Sequence, residues 1–285
     1  MKNRKSIRKN QAIAGVIEAL LMVALVAIVI SMIQLIYIPD IMEQREADHM
    51  DQVSNQFSYL KSMIDIQMMT ESDVPISSML TLNSDKLPYF ITMPSQGIAS
   101  IPDSDSAYIT YDNDTNTLKN NITSIEYKAN NIYFVDQTYA LEGGGIFLKQ
   151  DNGETAGVYP SISAVENEID PNKIDIRFDP FSKFIGIEGK KNSADKGKCT
   201  IRTNYINTIP EKSLLAAQDD FQIFSDYPIA WKKSLENTTN DLVNIILDSS
   251  NPQKYVEVEA RGTQTLNLYI TEYEINVQIG IGWIK

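Results

Sequence analysis

One long apolar segment, residues 11–38, limits what this chain can fold into. It reads QAIAGVIEALLMVALVAIVISMIQLIYI, and Glu18 is its only charged residue. A helix from Ala12 to Ile38 reaches about 40 Å, which exceeds the roughly 30 Å hydrocarbon core of a bilayer. Five basic residues precede the segment: Lys2, Arg4, Lys5, Arg8 and Lys9. Because a basic flank stays on the cytoplasmic side, the pattern predicts a single-pass helix in the cytoplasmic membrane, with the N-terminus inside and the remaining chain outside.

The charge of the chain excludes nucleic-acid binding. It has 37 acidic and 25 basic residues and a net charge of −12 at pH 7. No acidic residue lies in the basic leader, residues 1–10, so the part predicted to lie outside the membrane is more acidic still. A nucleic-acid-binding protein needs a positive surface, which this composition does not provide.

Cysteine and histidine are scarce, which narrows the possible chemistry. Cys199 is the only cysteine, so no intramolecular disulfide can form. His49 is the only histidine, which removes most zinc sites and Ser-His-Asp triads. We expect Cys199 to be a small buried thiol and His49 a surface imidazole. The remaining residues form no recognisable catalytic, cofactor-binding or metal-binding pattern, so we predict that the protein is not an enzyme.

Residues 39–70 continue the helix with a different pattern. Apolar residues recur there at steps of three and four: Met50, Val53, Phe57, Leu60 and Ile64. This spacing predicts an amphipathic helix whose apolar stripe packs on the globular part of the chain, and it also fits a short coiled-coil seam. Pro39, at the junction, is expected to kink the helix or to end its membrane portion.

The rest of the chain, residues 71–285, is rich in strand patterns. Gly143–Gly145 predict the turn of a β-hairpin, because neither a helix start nor a Lys-Ser/Thr pair follows as in a phosphate loop. Residues 226–249 predict one helix, and the final segments KYVEVEA, TLNLYITEYE and INVQIGIGWIK predict a meander of strands. The predicted fold class is α+β: a long N-terminal helix, then an antiparallel, sandwich-like β-rich exterior domain with one additional helix.

The apolar segment resembles the N-terminal segment of archaeal type IV pilins. In AIAGVIEALLMVALVAIVI the positions in register are Val16, Ile17, Leu20, Leu21, Met22, Val23 and Ala24. The family pattern has Ser, Pro and Gly where this chain has Ala14, Gly15 and Glu18. The resemblance implies a class III signal peptide, from which a membrane-embedded prepilin peptidase removes the basic leader and leaves the helix attached.

The same resemblance indicates where processing and assembly take place. Two cleavage sites fit it: Asn10/Gln11, which we slightly prefer, and Ala12/Ile13, which follows the pilin alignment more closely. In bacterial-type pilins a glutamate at the fifth mature position pairs with the N-terminal amine of a neighbouring subunit. Glu18 would be the eighth or the sixth mature residue, depending on the cut. Its alternative role is that of an interfacial carboxylate near the cytoplasmic headgroups.

Two kinds of surface site are candidates in the exterior domain. N-glycosylation sequons begin at Asn113, Asn121 and Asn237. A local cluster of acidic residues either holds calcium or forms solvated turns, and the second interpretation is favoured because the cluster lacks the spacing of a dedicated calcium loop. Its members are Asp103, Asp105, Asp112 and Asp114.

Two functional hypotheses follow from these patterns. The first is a structural subunit of an archaeal type IV pilus-like filament, or a pseudopilin, which associates with itself through the N-terminal helix and has the prepilin peptidase and the membrane as partners. The alternative is a non-polymerising, signal-anchored surface protein with a β-sandwich binding domain. The phrases MDQVSNQFSYLKSMID and YFVDQTYALEGGGIFLKQ also resemble uncharacterised membrane-anchored archaeal surface proteins, many from methanogens, which implies no known activity.

Overall fold

The computed structural model describes residues 2–87, 93–102, 106–113, 116–186, 197–218, 220–248 and 254–280, with side chains except at 2–14, 112–113, 116 and 211–218. The helices are α1 (Lys2–Met32), a π-helical segment (Ile33–Tyr37), α2 (Ile38–Thr70) and α3 (Pro228–Thr238). The strands are β1 (Ile76–Thr81), β2 (Gln96–Ser100), β3 (Ala107–Asn113), β4 (Asn116–Ile122), β5 (Ser124–Asn130), β6 (Gln137–Glu142), β7 (Gly145–Gln150), β8 (Gly153–Val158), β9 (Ile162–Glu166), β10 (Lys173–Gly186), β11 (Lys198–Gln218), β12 (Asp220–Phe224), β13 (Asn244–Asp248), β14 (Tyr255–Glu259) and β15 (Thr265–Ile279).

The two long helices form one continuous rod through the π-helical segment. Pro39 has no N–H group, so it cannot make the α-helical hydrogen bond to the residue four positions earlier. The chain widens by one residue just before it, where the Ile38 N–H donates to the Ile33 carbonyl oxygen. Pro39 directly follows this wider turn, which accommodates the missing N–H group within the continuous helix. The helix therefore continues through Pro39 with a local π-helical distortion, and the expectation that its membrane portion ends there stays a prediction.

The described residues after α2 form three five-stranded sheets, which confirms the predicted α+β class. Their strand orders are β1-β11-β15-β10-β9, β13-β14-β12-β3-β4 and β2-β5-β6-β7-β8. Most neighbouring strands are antiparallel, but β10 and β15 run parallel from Lys173↔Thr265 to Gly186↔Val277. The predicted terminal meander is wrong, because residues 265–279 form one long strand between β10 and β11.

The helix predicted over residues 226–249 is about half that length. It ends at Thr238, where β-branched residues disfavour a further turn, and Asn240 and Asp241 then adopt positive φ angles of 48° and 59°. Residues 244–248 form β13 instead. Trp231 and Leu235, which lie in the part that is helical, are completely buried.

The glycine-rich turn is confirmed as a hairpin. Glu142 pairs with Gly145 across β6 and β7, so Gly143 and Gly144 are the two turn residues. Their φ angles are 56° and 85°, the left-handed region that such a tight turn requires and that favours glycine. A Cβ atom on Gly143 would also lie 2.8 Å from the Trp231 ring, so close packing favours glycine at this position in addition to the backbone conformation.

The β-rich part of the described chain that follows α2 is called the head below. It contains two hydrophobic cores, and side chains of α2 pack into the first of them. All five residues of the predicted stripe, from Met50 to Ile64, are buried there against side chains of β1, β5, β6, β11 and β15. The prediction that the stripe packs on the globular part is confirmed. The second core surrounds Trp231 and contains Phe147, Phe178 and Phe181.

Replacing Phe57 by alanine tests whether α2 is structurally part of the head. Phe57 is fully buried and packs against the Tyr139 ring at a centroid distance of 5.8 Å. We expect Phe57→Ala to lower the free energy of unfolding by about 3–5 kcal/mol, because it leaves a cavity in the first core. Urea unfolding of the full chain in detergent measures this. The control is Tyr59→Ala, two residues away and exposed, which should change it by less than about 0.5 kcal/mol.

Candidate functional site

The uncovered helix segment, residues 15–37, is the largest apolar surface of the described chain. Its large apolar side chains are 36–76% exposed, and none of its residues is buried by the head. The helix from Gly15 to Thr70 contains the candidate membrane span found in the described residues. Because so long an apolar surface is unstable in water, lipid or other protein must cover it.

Glu18 lies within the uncovered helix segment, on the exposed surface of α1. The candidate processing residues Asn10, Gln11, Ala12 and Ile13 lie one to two turns earlier in α1, and their side chains fall outside the described ones. The structure therefore places Glu18 and both cleavage sites on one helix, within about 12 Å along its axis.

Above the uncovered segment, a buried carboxylate joins the helix to the head. Glu46 accepts hydrogen bonds from the backbone N–H groups of Ile132 (3.1 Å), Tyr133 (2.7 Å) and Phe134 (2.7 Å). The Glu46 side chain is completely buried. Three converging N–H groups compensate a carboxylate for its lost hydration, so this contact fixes the loop between β5 and β6 to the base of α2.

His49 makes the next polar contact, one turn higher. Its Nε2 lies 3.0 Å from the Tyr127 hydroxyl, and that hydroxyl donates to the Leu82 carbonyl oxygen at 2.9 Å. Since Tyr127 has one hydroxyl hydrogen, His49 Nε2 is the donor of the pair. The expectation of a surface imidazole is wrong: His49 is buried, and burial lowers its pKa.

Two glutamines complete the series of polar contacts along α2. Gln56 donates to Thr81 Oγ1 and accepts from the Thr81 N–H, both at 2.9 Å. Gln67 donates to the Thr203 carbonyl oxygen and accepts from the Thr203 hydroxyl, both at 2.8 Å. Apolar packing has no direction, whereas these bonds have defined geometry, so they set the rotation and height of the head on α2.

Sequence reasoning missed this polar row because Glu and Gln in a helix indicate a solvent-facing side. The signal was present in the spacing. Glu46, Val53, Leu60 and Gln67 are seven residues apart and therefore lie on one face, with the apolar stripe.

A second buried acidic group lies between the two cores. The Glu142 carboxylate accepts from Ser225 Oγ at 2.6 Å and from Trp231 Nε1 at 2.7 Å. Glu126, two residues along the neighbouring strand, accepts from the Tyr227 hydroxyl at 2.7 Å. Both carboxylates are at most 2% exposed. They are closed to substrates and tie the segment that begins α3 to β5 and β6.

The pKa of Glu142 is raised to about 7, chiefly by burial; the hydrogen bonds from Ser225 and Trp231 oppose this rise, and the nearby charges of Glu126 and Asp226 add to it. A surface pocket of about 480 Å³ beside Ser225 and Asp226 is lined by positively and negatively charged side chains. Two of these side chains already make hydrogen bonds within the fold. Lys149 donates to the Asp226 carbonyl oxygen at 2.8 Å, and Glu154 accepts from the Ile229 N–H at 2.9 Å.

The remaining candidate sites are only partly described. The Asn237 side chain is exposed, whereas Asn121 is half-buried and the Thr123 of its sequon is buried, accepting from the Phe184 N–H. The structure does not describe Asp103, Asp105 or Asp114, and it does not describe the side chains of Asp112 and Asn113.

Among the described residues, no three His, Cys, Asp or Glu side chains form a group that could hold a metal ion. Cys199 is buried, and burial raises the pKa of its thiol to about 11.

Comparisons of the chain with protein-family models, with curated proteins and with solved structures find no match.

The raised pKa of Glu142 predicts that this residue contributes more to stability in weak acid than in weak base. The folded-state pKa of about 7 exceeds the ordinary 4.5, so the stabilising contribution is complete below the unfolded value and is lost as the pH rises through 7. A pKa difference of this size corresponds to about 3 kcal/mol.

Glu142→Gln keeps an oxygen acceptor for Ser225 and Trp231 but cannot ionise. Urea unfolding between about pH 5 and pH 8 should therefore show a flatter pH dependence for this variant than for the wild type. Glu236→Gln on the exposed side of α3 is the control and should leave the pH dependence unchanged. An equally steep dependence in Glu142→Gln would contradict the assignment.

Proposed function

We propose that the chain is a structural subunit of an archaeal type IV pilus-like filament, or a pseudopilin, held in the cytoplasmic membrane before assembly. The observation that supports it most is the division of one continuous helix. Residues 15–37 are uncovered and apolar, and residues 42–68 are built into the core of a β-rich head. A subunit that exchanges lipid for neighbouring helices needs such an uncovered half and such a fixed half.

The mechanism is structural. The basic leader is removed on the cytoplasmic side, after Asn10 or after Ala12, and the apolar helices of successive subunits then bundle together. Each square ångström of apolar surface covered in the bundle contributes about 25 cal/mol, so a helix of this length gains enough energy for association without any catalytic site. The acidic heads face outward and form the sheath, and glycosylation is proposed at Asn237, whose side chain is exposed although the Thr239 of its sequon is buried.

Glu18 is assigned to subunit pairing in this proposal. A carboxylate in the first turns of a membrane helix costs up to about 3 kcal/mol on insertion. Its cost is offset when it pairs with the new N-terminal amine of a neighbouring subunit.

Purification from the native membrane, followed by N-terminal sequencing and electron microscopy, tests the proposal. We expect a mature N-terminus at Gln11 or Ile13 and filaments containing the protein. An intact Met1 or Lys2 terminus together with the absence of filaments would overturn it and favour the non-polymerising surface protein.

A variant pair separates assembly from anchoring. Glu18→Gln should reduce filament yield while leaving the amount of membrane-inserted protein unchanged or higher, because only the pairing charge is lost. The matched control is Ser31→Ala in the same uncovered segment. Ser31 Oγ donates to the Ala27 carbonyl oxygen within its own helix, so its removal should leave filament yield unchanged.

A further inference from the structure

The loop between β5 and β6, residues 131–136, is bound by Glu46 in the part of the head that is nearer the uncovered helix segment. Glu46, which binds this loop, is eight residues beyond Ile38, about 12 Å along the helix. The head continues further down: Met42 is completely buried and Pro39 is half-buried, whereas Tyr37 is 58% exposed. The lower edge of the head therefore reaches the level at which the uncovered segment ends.

Two exposed aliphatic side chains stand on this loop. Ile132 is 51% exposed and Val135 is 48% exposed, with Tyr133 half-exposed between them. Single exposed apolar residues are ordinary on protein surfaces. These two share one short loop, and that loop is beside the point where an apolar helix leaves the head.

Part of the loop backbone is hydrogen-bonded within the protein. Glu46 accepts from the N–H groups of residues 132, 133 and 134. Asp136 accepts from the Asn131 N–H at 2.7 Å, and Asn131 Nδ2 donates to the Val135 carbonyl oxygen at 2.7 Å. Backbone groups that keep their partners without water can enter a lipid interface at little cost, and their side chains are held in place while they do so.

We propose that the β5–β6 loop rests on the outer-leaflet interface of the bilayer, with Ile132 and Val135 among the lipid headgroups. This inference rests on the proposed membrane anchoring of the unassembled subunit. Lipid is the proposed partner because, on the proposed anchoring, it surrounds the uncovered segment, which ends about 12 Å along the helix from Glu46. The contact gives the head a fixed orientation against the membrane and is broken when the subunit enters a filament.

Ile169 provides a matched control at the far end of the head. It is an isoleucine that is 94% exposed, in the loop before β10. Strand β11 reaches the level of Gln67, near the top of α2, at Thr203 and continues away from the membrane to Gln218, a further distance of about 50 Å at 3.3 Å per residue. The strand β10 begins beside that same end of β15.

The experiment uses the full chain in lipid nanodiscs with one fluorescent label at a time. Ile132→Cys, Ile169→Cys and Val29→Cys provide the three positions, and each is exposed in the single chain. The native Cys199 remains in place because it is 3% exposed and burial raises the pKa of its thiol to about 11, so it reacts poorly in the folded protein. Quenching is measured with nitroxide-labelled lipids and with aqueous iodide.

We expect the label at residue 132 to be quenched several-fold more by nitroxide lipids, and several-fold less by iodide, than the label at residue 169. Equal quenching of the two by both reagents would overturn the proposal. Protection of residue 132 from both quenchers would overturn it as well, since a second copy of the chain would then cover the loop. Lipid quenching at residue 29 without quenching at residue 132 refutes the loop contact alone, whereas its absence at residue 29 refutes the membrane anchor itself.

Discussion

The structure depends on covering the apolar surface of a single long helix. The helix has two parts, and they differ in what covers their apolar surface. From Met42 to Met68 the head of the same chain buries one face of the helix, whereas residues 15–37 have no cover within the protomer. Because burial of apolar area is the main favourable term in both folding and association, the uncovered part cannot remain in water. The uncovered part is therefore a candidate membrane span.

Polar contacts turn that burial into a defined geometry. Apolar side chains alone would let α2 slide or rotate in its groove. The buried bonds of Glu46, His49, Gln56 and Gln67 prevent this, because moving any of them would leave a buried polar group without a partner. The same contacts fix the orientation of the head relative to the uncovered segment.

Sequence patterns predicted the elements that depend on local chemistry. The apolar segment, the stripe through Phe57 and the hairpin at Gly143–Gly144 all follow from spacing and from residue type. The contacts that depend on distant parts of the chain could not be predicted. Neither the parallel pairing of β10 with β15 nor the burial of Glu142 beside Trp231 leaves a local pattern, because each is settled by which strands the complete fold brings together.

The helix that continues across Pro39 connects the uncovered segment rigidly to the head, and the proposed role depends on this connection. Double electron–electron resonance between spin labels at Val29→Cys and Ile66→Cys in the full chain tests it most directly. Both positions are exposed in the single chain. A continuous helix predicts one narrow distance distribution near about 55 Å. A broad distribution at shorter distances would show a hinge at the proline and contradict the account.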